Sequence, residues 1–371
     1  MTSDVIIVGA GVQGCAVALR LAQAGRRVTV LERAVPGAEA SSAAAGILSP
    51  GVEAEEPGPF YELCAASLRL YRDFAVELER SSGVGVGYRP GGTLQVALDD
   101  LTAQALAGRG ARLQGHRISV EVLDGDQVRK LEPAVNRKVR GALFLPEEAS
   151  IDPRLLARAL YLTAHKAGAS FVTGQVIRIV HSENRAVAVD HERGRIEAAA
   201  VVLAAGSWSA GVEGNALPAR AVRPVRGQIA VLDTRPPLLQ RVVFSEKGYV
   251  VPRADGRLLC GSTMEEVGHE RAITAGGIRG VLDLAIEIAP ALLNAPIIDT
   301  WCNFRPASPD GWPILGASTV SNLYYATGHT RNGILLCPIT ANAVSAAILG
   351  RPPPVDLSPF SVLRLGAFGR G

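Results

Sequence analysis

The stretch VGAGVQG, residues 8–14, decides how the chain is read. Before it lies an apolar run, DVIIV, that reads as a buried strand. After it, residues 15–24 place Ala16, Ala18, Leu19 and Leu21 at helical spacing, and Gly25 sits where a helix stops. Residues 27–31 form a second strand-like run that ends in Glu32. Strand, glycine turn, helix and strand make one βαβ unit. Within it, G-A-G-V-Q-G fits the G-x-G-x-x-G pattern. Gly9 permits a tight turn, Gly11 lets the backbone approach a pyrophosphate, and Gly14 lets helix and strand pack closely. The free N–H groups at the helix start face the anion. Glu32 is placed to accept hydrogen bonds from an adenosine ribose, and its charge repels a 2′-phosphate. The loop therefore predicts a dinucleotide and disfavours NADP, but leaves nicotinamide and flavin both open. A second glycine cluster, GVGVGYRPGG at 83–92, precedes a strand instead of following one and reads as a plain loop.

The 371 residues suffice for two cores. With 48% hydrophobic and 20% charged residues, the composition is that of a soluble globular protein. The net charge is +3, and no run of like charges forms a basic arm, which argues against nucleic acid as a partner. Cys15, Cys64, Cys260, Cys302 and Cys337 are scattered and form no C-x-x-C, so neither a disulfide framework nor a zinc site is expected, and a reducing cytoplasm fits. The start, MTSDVIIVGAG, reads as a first strand rather than a signal peptide, and no apolar run reaches the roughly eighteen residues of a membrane span.

Further along, helices are expected over 60–80, 124–133, 152–166, 278–288 and 333–349. Asp152 is the N-cap of the third, with Pro153 in its first turn. Strands are expected over 88–98, 171–180, 186–190, 196–203, 226–233, 248–252, 258–260 and 323–326, and the tail from Arg351 reads as an extended cover. Parallel-type units at both ends flank antiparallel-type strands. The expected fold is α/β: a Rossmann-type dinucleotide domain from residues 1–85, 150–220 and 325–371, and a discontinuous antiparallel-sheet (α+β) substrate domain from 86–149 and 221–324.

Three features favour flavin over nicotinamide. A second strand–glycine junction, VVLAAGSWS, brings Gly206 close to a ligand. The small-residue loop Ser41 to Gly46 follows the ribose-binding strand and could wall an isoalloxazine. The run YYATGHTRNGILLCP ends a strand in Gly328 and starts a helix near Gly333, whose positive end would meet a flavin's N1–C2=O edge.

Together with FRPASPDGWPILG, VRPVRGQI, GYVVPR and GRLLCGST, these stretches resemble the D-amino-acid oxidase superfamily of FAD enzymes, and within it the glycine oxidase family of thiamine-thiazole biosynthesis. The resemblance spans residues 4 to about 350. It implies non-covalent FAD held by Gly9, Gly11, Gly14, Glu32, Ser41, Ala45, Gly46, Ile47, Val176, Gly206, His329, Asn332, Gly333 and Ile334. It implies that Arg305 grips a substrate carboxylate with help from the Tyr249 hydroxyl, and that Arg331 lines the same site. Arginine suits the task because its fork matches the carboxylate plane. A salt bridge to Asp310 or a loop clamp is the competing use of Arg305, and backbone carbonyls are the competing partners of Arg331.

The six histidines form no cluster and no metal is predicted. His329 reads as a wall of the site rather than a proton carrier. Oxidation by hydride loss needs no side-chain base. The implied reaction is oxidative deamination of glycine or another small amino acid such as sarcosine or a small D-amino acid, with O2 as acceptor and a homotetramer as the assembly. A dehydrogenase that passes electrons to a quinone or carrier, and a flavin-binding protein without turnover, stay open as alternatives. Cys302 is offset from the position where sarcosine-oxidising relatives tether flavin. Lys247-Gly248 before Tyr249 departs from the family pattern, which leaves the preferred amine open.

Overall fold

The computed structural model describes residues 2–54 and 56–367; residues 1, 55 and 368–371 of the predicted dinucleotide-binding segments lie outside the described residues. The first βαβ unit forms as read: β1 (Thr2–Val8), α1 (Val12–Gln23) and β2 (Val28–Glu32). In β1, Val5 and Ile7 enter one core while Ile6 and Val8 enter another. That two-sided burial is why the strand is a continuous apolar run.

β1 pairs in parallel with β2 on one side and with Gly194–Leu203 on the other. Ser170–Thr173 extends the sheet beyond β2, and Leu323–Thr327 runs parallel beside Gly194–Leu203. Antiparallel strands Val176–Ser182, Arg185–His191 and Ile314–Ala317 complete it. One face is covered by α1, Pro59–Ser82, Pro153–Lys166 and Cys337–Ile348. On the other face Val362 and Leu365 of the tail join the core, so the tail covers the sheet.

The second sheet runs in the order Ile297–Ala307, Arg223–Asp233, Arg257–Gly261, Gly248–Pro252, Val242–Ser245, Thr93–Ala97, Gly141–Leu145, Glu121–Asp124. Its neighbours are antiparallel except Val242–Ser245 against Thr93–Ala97. The helix Ala275–Ile288 packs on it through Val281, Leu284, Ala285 and Ile288. The fold is thus α/β, a parallel Rossmann-like core joined to an antiparallel sheet.

Several expected elements differ. The strand expected over 171–180 is broken between Ser170–Thr173 and Val176–Ser182. That over 88–98 divides into Arg89–Pro90 and Thr93–Ala97, because a glycine pair turns the chain between them. The loop expected after β2 contains the helical turns Ala40–Ala43 and Pro50–Glu53. The helix Asp100–Gly115 escapes a sequence reading because three glycines interrupt its pattern. Asp99 caps it by accepting from the Thr102 N–H at 2.8 Å, and Gly110 leaves room for Val122 and Leu143. The helix expected from Gly333 begins instead at Cys337.

Candidate functional site

A cavity of about 640 Å³ opens at the carboxyl ends of the parallel strands and extends to the antiparallel sheet. Its position follows the rule for open α/β sheets, and its volume lies in the ordinary range of cofactor sites. Val8, Glu32, Ala204 and Thr327, at or just past four strand ends, all line it.

The glycine turn is built by exclusion of side chains. Gly9 has φ +103°, and a Cβ on it would lie 2.6 Å from the Ala204 carbonyl oxygen. A Cβ on Gly14 would lie 1.9 Å from the Gly9 carbonyl oxygen, so α1 can sit this close to the turn only with glycine there. Gly11 lines the cavity, and Ser41 Oγ accepts from the Val12 N–H at 3.0 Å beside it. The Glu32 carboxylate accepts from the Ala10 N–H at 2.9 Å and the Ala34 N–H at 3.1 Å, bracing the turn from the end of β2.

Of the predicted cofactor residues, Gly9, Gly11, Glu32, Ser41, Ala45, Gly46, Ile47, Val176, Gly206, His329, Gly333 and Ile334 line this one cavity. Gly14 lies beneath the turn rather than on the cavity wall. Asn332 is buried off the wall, its N–H on the His329 carbonyl and its carbonyl accepting from Leu336, which holds the turn that precedes the late-starting helix.

That turn has its own logic. The carbonyls of Gly333, Ile334 and Leu335 accept from Gln13 Nε2 at 2.7 Å, the Tyr71 hydroxyl and the Ser67 hydroxyl. In a planar trans peptide the N–H points opposite to the carbonyl. The N–H groups of Ile334 and Leu335 therefore face away from the helix layer, on the side where Gly333 and Ile334 line the cavity. Sequence reasoning attributes the polarity here to a helix end; the structure supplies it through two peptides turned by Gln13 and Tyr71. Gln13, an unconstrained position of the glycine pattern, was not singled out, and neither were Arg33, Glu39 or Trp208, which also line the cavity.

At the other end, Arg305 stands on Ile297–Ala307, opposite Val225 of Arg223–Asp233. Its guanidinium lies over Gly227: a Cβ there would be 2.3 Å from Nη1. Nη1 donates to the Thr263 carbonyl at 3.1 Å and Nη2 to the Ser262 hydroxyl oxygen. The Tyr249 hydroxyl donates to the same Ser262 oxygen at 3.1 Å. Burial draws the guanidinium below its ordinary value, opposed by Tyr249 and aided by Arg331. Arg305, Tyr249 and Arg331 all line the cavity. The competing partner, Asp310, is taken by Arg364 at 2.7 Å. Arg331 pairs with the Glu53 carboxylate at 3.0 Å rather than with backbone carbonyls alone, and Glu53 lines the cavity too.

His329 is buried, with Nε2 3.1 Å from the Thr340 hydroxyl, and burial holds its pKa down at about 3, so the ring is neutral. Cys302 is buried on the strand Ile297–Ala307, opposite Gln228, and is not on the cavity wall. Lys247 lines the mouth and pairs with Glu287 at 3.2 Å. Among the described residues no group of His, Cys, Asp and Glu could hold a metal, and no helix is long and apolar enough to cross a membrane.

A glycine-built turn at the strand ends and a half-buried guanidinium share one cavity, an arrangement that suits a cofactor-dependent oxidoreductase. The donor set fits FAD: glycines that admit a pyrophosphate, a carboxylate at the ribose position and peptide N–H groups at the far turn. The chain belongs to the FAD dependent oxidoreductase family, DAO, which it matches over residues 4–347. It is 38% identical to the bifunctional protein ThiO/ThiG of Synechocystis sp., an alignment that covers 98% of this chain and 54% of that protein. The chain thus spans about half the length of the bifunctional relatives it matches. The solved glycine oxidase of Geobacillus kaustophilus superposes with a TM-score of 0.92 at 32% identity, over 97% of this chain and 98% of that one. An iminodiacetate oxidase from Chelativorans sp. superposes with a TM-score of 0.88 at 29% identity, over 96% and 98% of the two chains.

Proposed function

We propose that the protein oxidises glycine or another small amino acid, such as sarcosine or a small D-amino acid, with non-covalent FAD as cofactor and O2 as the final acceptor, releasing an imine and hydrogen peroxide. The observation that carries this reading is the Arg305 guanidinium laid over Gly227 on the cavity that the glycine cradle opens. FAD, when bound, supplies the hydride acceptor at its flavin N5.

The chain's own residues supply orientation. Arg305 pairs with the substrate carboxylate through its fork, and the buried setting strengthens that pairing. The Thr263 carbonyl and the Ser262 hydroxyl hold the fork in place before substrate arrives. The Tyr249 hydroxyl can turn from Ser262 to the carboxylate. Arg331, held by Glu53, closes the mouth. His329, neutral and tied to Thr340, forms wall without exchanging protons. Gly9, Gly11, Gly14, Glu32 and Ser41 hold the dinucleotide, and Gly333 and Ile334 border the ring. Asn332 contributes by shaping its turn.

The division into a cofactor domain (1–85, 150–220, 325–371) and a substrate domain (86–149, 221–324) belongs to the same proposal, supported by the two sheets. Resemblance to the glycine oxidase family of thiamine-thiazole biosynthesis supports delivery of the imine to thiazole assembly. Five buried free thiols support a reducing, cytoplasmic setting. A homotetramer is proposed on resemblance to the family.

Mixing the purified protein with glycine and related amino acids without oxygen tests the reading. The flavin band should bleach and return on admission of air, with peroxide formed. Bleaching by no small amino acid overturns it, and bleaching with slow reoxidation in air replaces the oxidase by a dehydrogenase.

A further inference from the structure

The segment between the strand Arg257–Gly261 and the helix Ala275–Ile288 runs irregularly, and its Ser262 and Met264 line the cavity. Its root is held by the antiparallel sheet. The buried Arg226 donates to Glu265 Oε2 at 2.8 Å and to the Glu270 carbonyl at 3.0 Å, and Gln228 Nε2 donates to Glu265 Oε1 at 2.7 Å. Its far end lies on residues of the parallel-sheet side and on Phe304 of the antiparallel sheet. His269 stacks on Trp208 at 4.8 Å with rings 17° apart, and its Nε2 is 3.3 Å from the Ser207 hydroxyl. Arg271 pairs with the Glu39 carboxylate and lies over the Phe304 ring at 5.6 Å.

These partners border the ribose-binding end of the cavity. Arg33, the residue after Glu32, also lies over the Trp208 ring at 3.8 Å and shares the Glu39 carboxylate at 2.7 Å. Arg33, Glu39, Ser207 and Trp208 all line the cavity. Burial raises the Glu39 carboxyl, but the guanidiniums of Arg271 and Arg33 outweigh it and leave the group below its usual range.

We propose that residues 262–274 form a strap that closes the adenosine end of the cofactor cleft, with His269 and Arg271 as the positioning residues that latch it and slow release of the dinucleotide. The strap begins with Ser262 and Thr263, the groups that hold Arg305, so one stretch of chain serves both ends of the cavity. The inference rests on the reading of the cleft as an FAD site.

The test is the rate at which FAD leaves the holoprotein after dilution, followed by free-flavin fluorescence, with thermal melting of each apo form as the check on folding. Arg271→Ala and His269→Ala should each release FAD roughly tenfold faster, since each loses an ion pair with a cation–π contact or an aromatic stack. His269→Phe keeps the stack and should stay slow. In a Glu39→Ala background Arg271→Ala should add little. Arg279→Ala, on the outer face of the neighbouring helix, should release FAD at the parent rate. FAD leaving the Arg271→Ala and His269→Ala proteins at the parent rate overturns the strap and leaves the cofactor reading standing. A chain that takes up no FAD overturns both.

Discussion

The two ends of the cavity are built in opposite ways. The dinucleotide cradle lies within one stretch of chain, β1 through Ser41, backed from outside by the Ala204 carbonyl against Gly9. The arginine clamp draws Arg305, Gly227, Tyr249 and Ser262 from four strands or strand ends of one antiparallel sheet, spread over some eighty residues. The cradle works by what its glycines lack. The clamp works by what a neighbouring strand leaves out so that one guanidinium can lie flat. A local motif tolerates almost no substitution, whereas a distributed one can be weakened by degrees, and the two ends should respond to mutation accordingly.

The largest effect is expected at the cradle. Gly14→Val would put a branched side chain where even a Cβ lies 1.9 Å from the Gly9 carbonyl oxygen, and that neighbour is backbone, which cannot swing aside. The purified variant should be colourless and fail to take up added FAD in a titration; a yellow, normally loaded protein would show that the turn is not the cradle. Next comes Arg305→Ala. Loss of a charged bidentate partner costs about 3 kcal/mol, so kcat/KM for the substrate should fall roughly hundredfold while FAD stays bound. Arg305→Lys should recover only part of this, because an ammonium lacks the fork. An unchanged KM in the alanine variant removes the assignment.

Gly227→Ala tests the clamp without touching the arginine itself. Its new Cβ would stand 2.3 Å from Nη1, so the guanidinium must shift. A drop of roughly tenfold in kcat/KM, with the flavin spectrum unaltered, is the expected result; kinetics equal to the parent would mean the guanidinium has room to spare.

The smallest effect concerns the seam between the two regions. Glu148 is buried, accepts from the Gly51 N–H at 2.7 Å and supports the helical turn that presents Glu53 to Arg331. Burial pushes its carboxyl up to about 8, against the downward pull of Ser49, the Gly51 N–H, Thr93 and Arg109. The folded state therefore holds this proton more tightly than the unfolded chain, whose carboxyl titrates near 4.5. Its stability contribution is full below the unfolded value and is lost as pH rises through the folded one. Glu148→Gln should flatten this dependence, so the parent's melting temperature should fall relative to the variant's by roughly 5 °C between pH 5 and pH 8. Parallel melting curves across that range would refute the shift.

How much of this was legible beforehand follows from the same contrast. The βαβ unit, the Asp152 cap with Pro153 behind it and the cover role of the tail were all readable, because helical spacing, strand runs and capping chemistry are short-range. Arg305 and Tyr249 are named through resemblance, with a salt bridge to Asp310 or a loop clamp as the competing uses of the arginine. Arg364, far along the tail, takes that carboxylate, and nothing near Asp310 in the chain announces it. The late helix start after Gly333 is not legible in the sequence because Gln13, Tyr71 and Ser67, which bind the carbonyls of Gly333, Ile334 and Leu335, come from distant parts of the chain.

The amino-acid order by itself therefore determined the βαβ unit and its glycine turn, since strand runs, helical spacing and the Gly9–Gly14 contact act over a few residues. Only the tertiary structure decided where the arginine's fork lies, which peptides turn toward the cavity and what holds residues 262–274 in place. Those depend on strand register and on groups brought together from distant parts of the chain, and hydrogen bonding at that range leaves no periodic trace in the sequence.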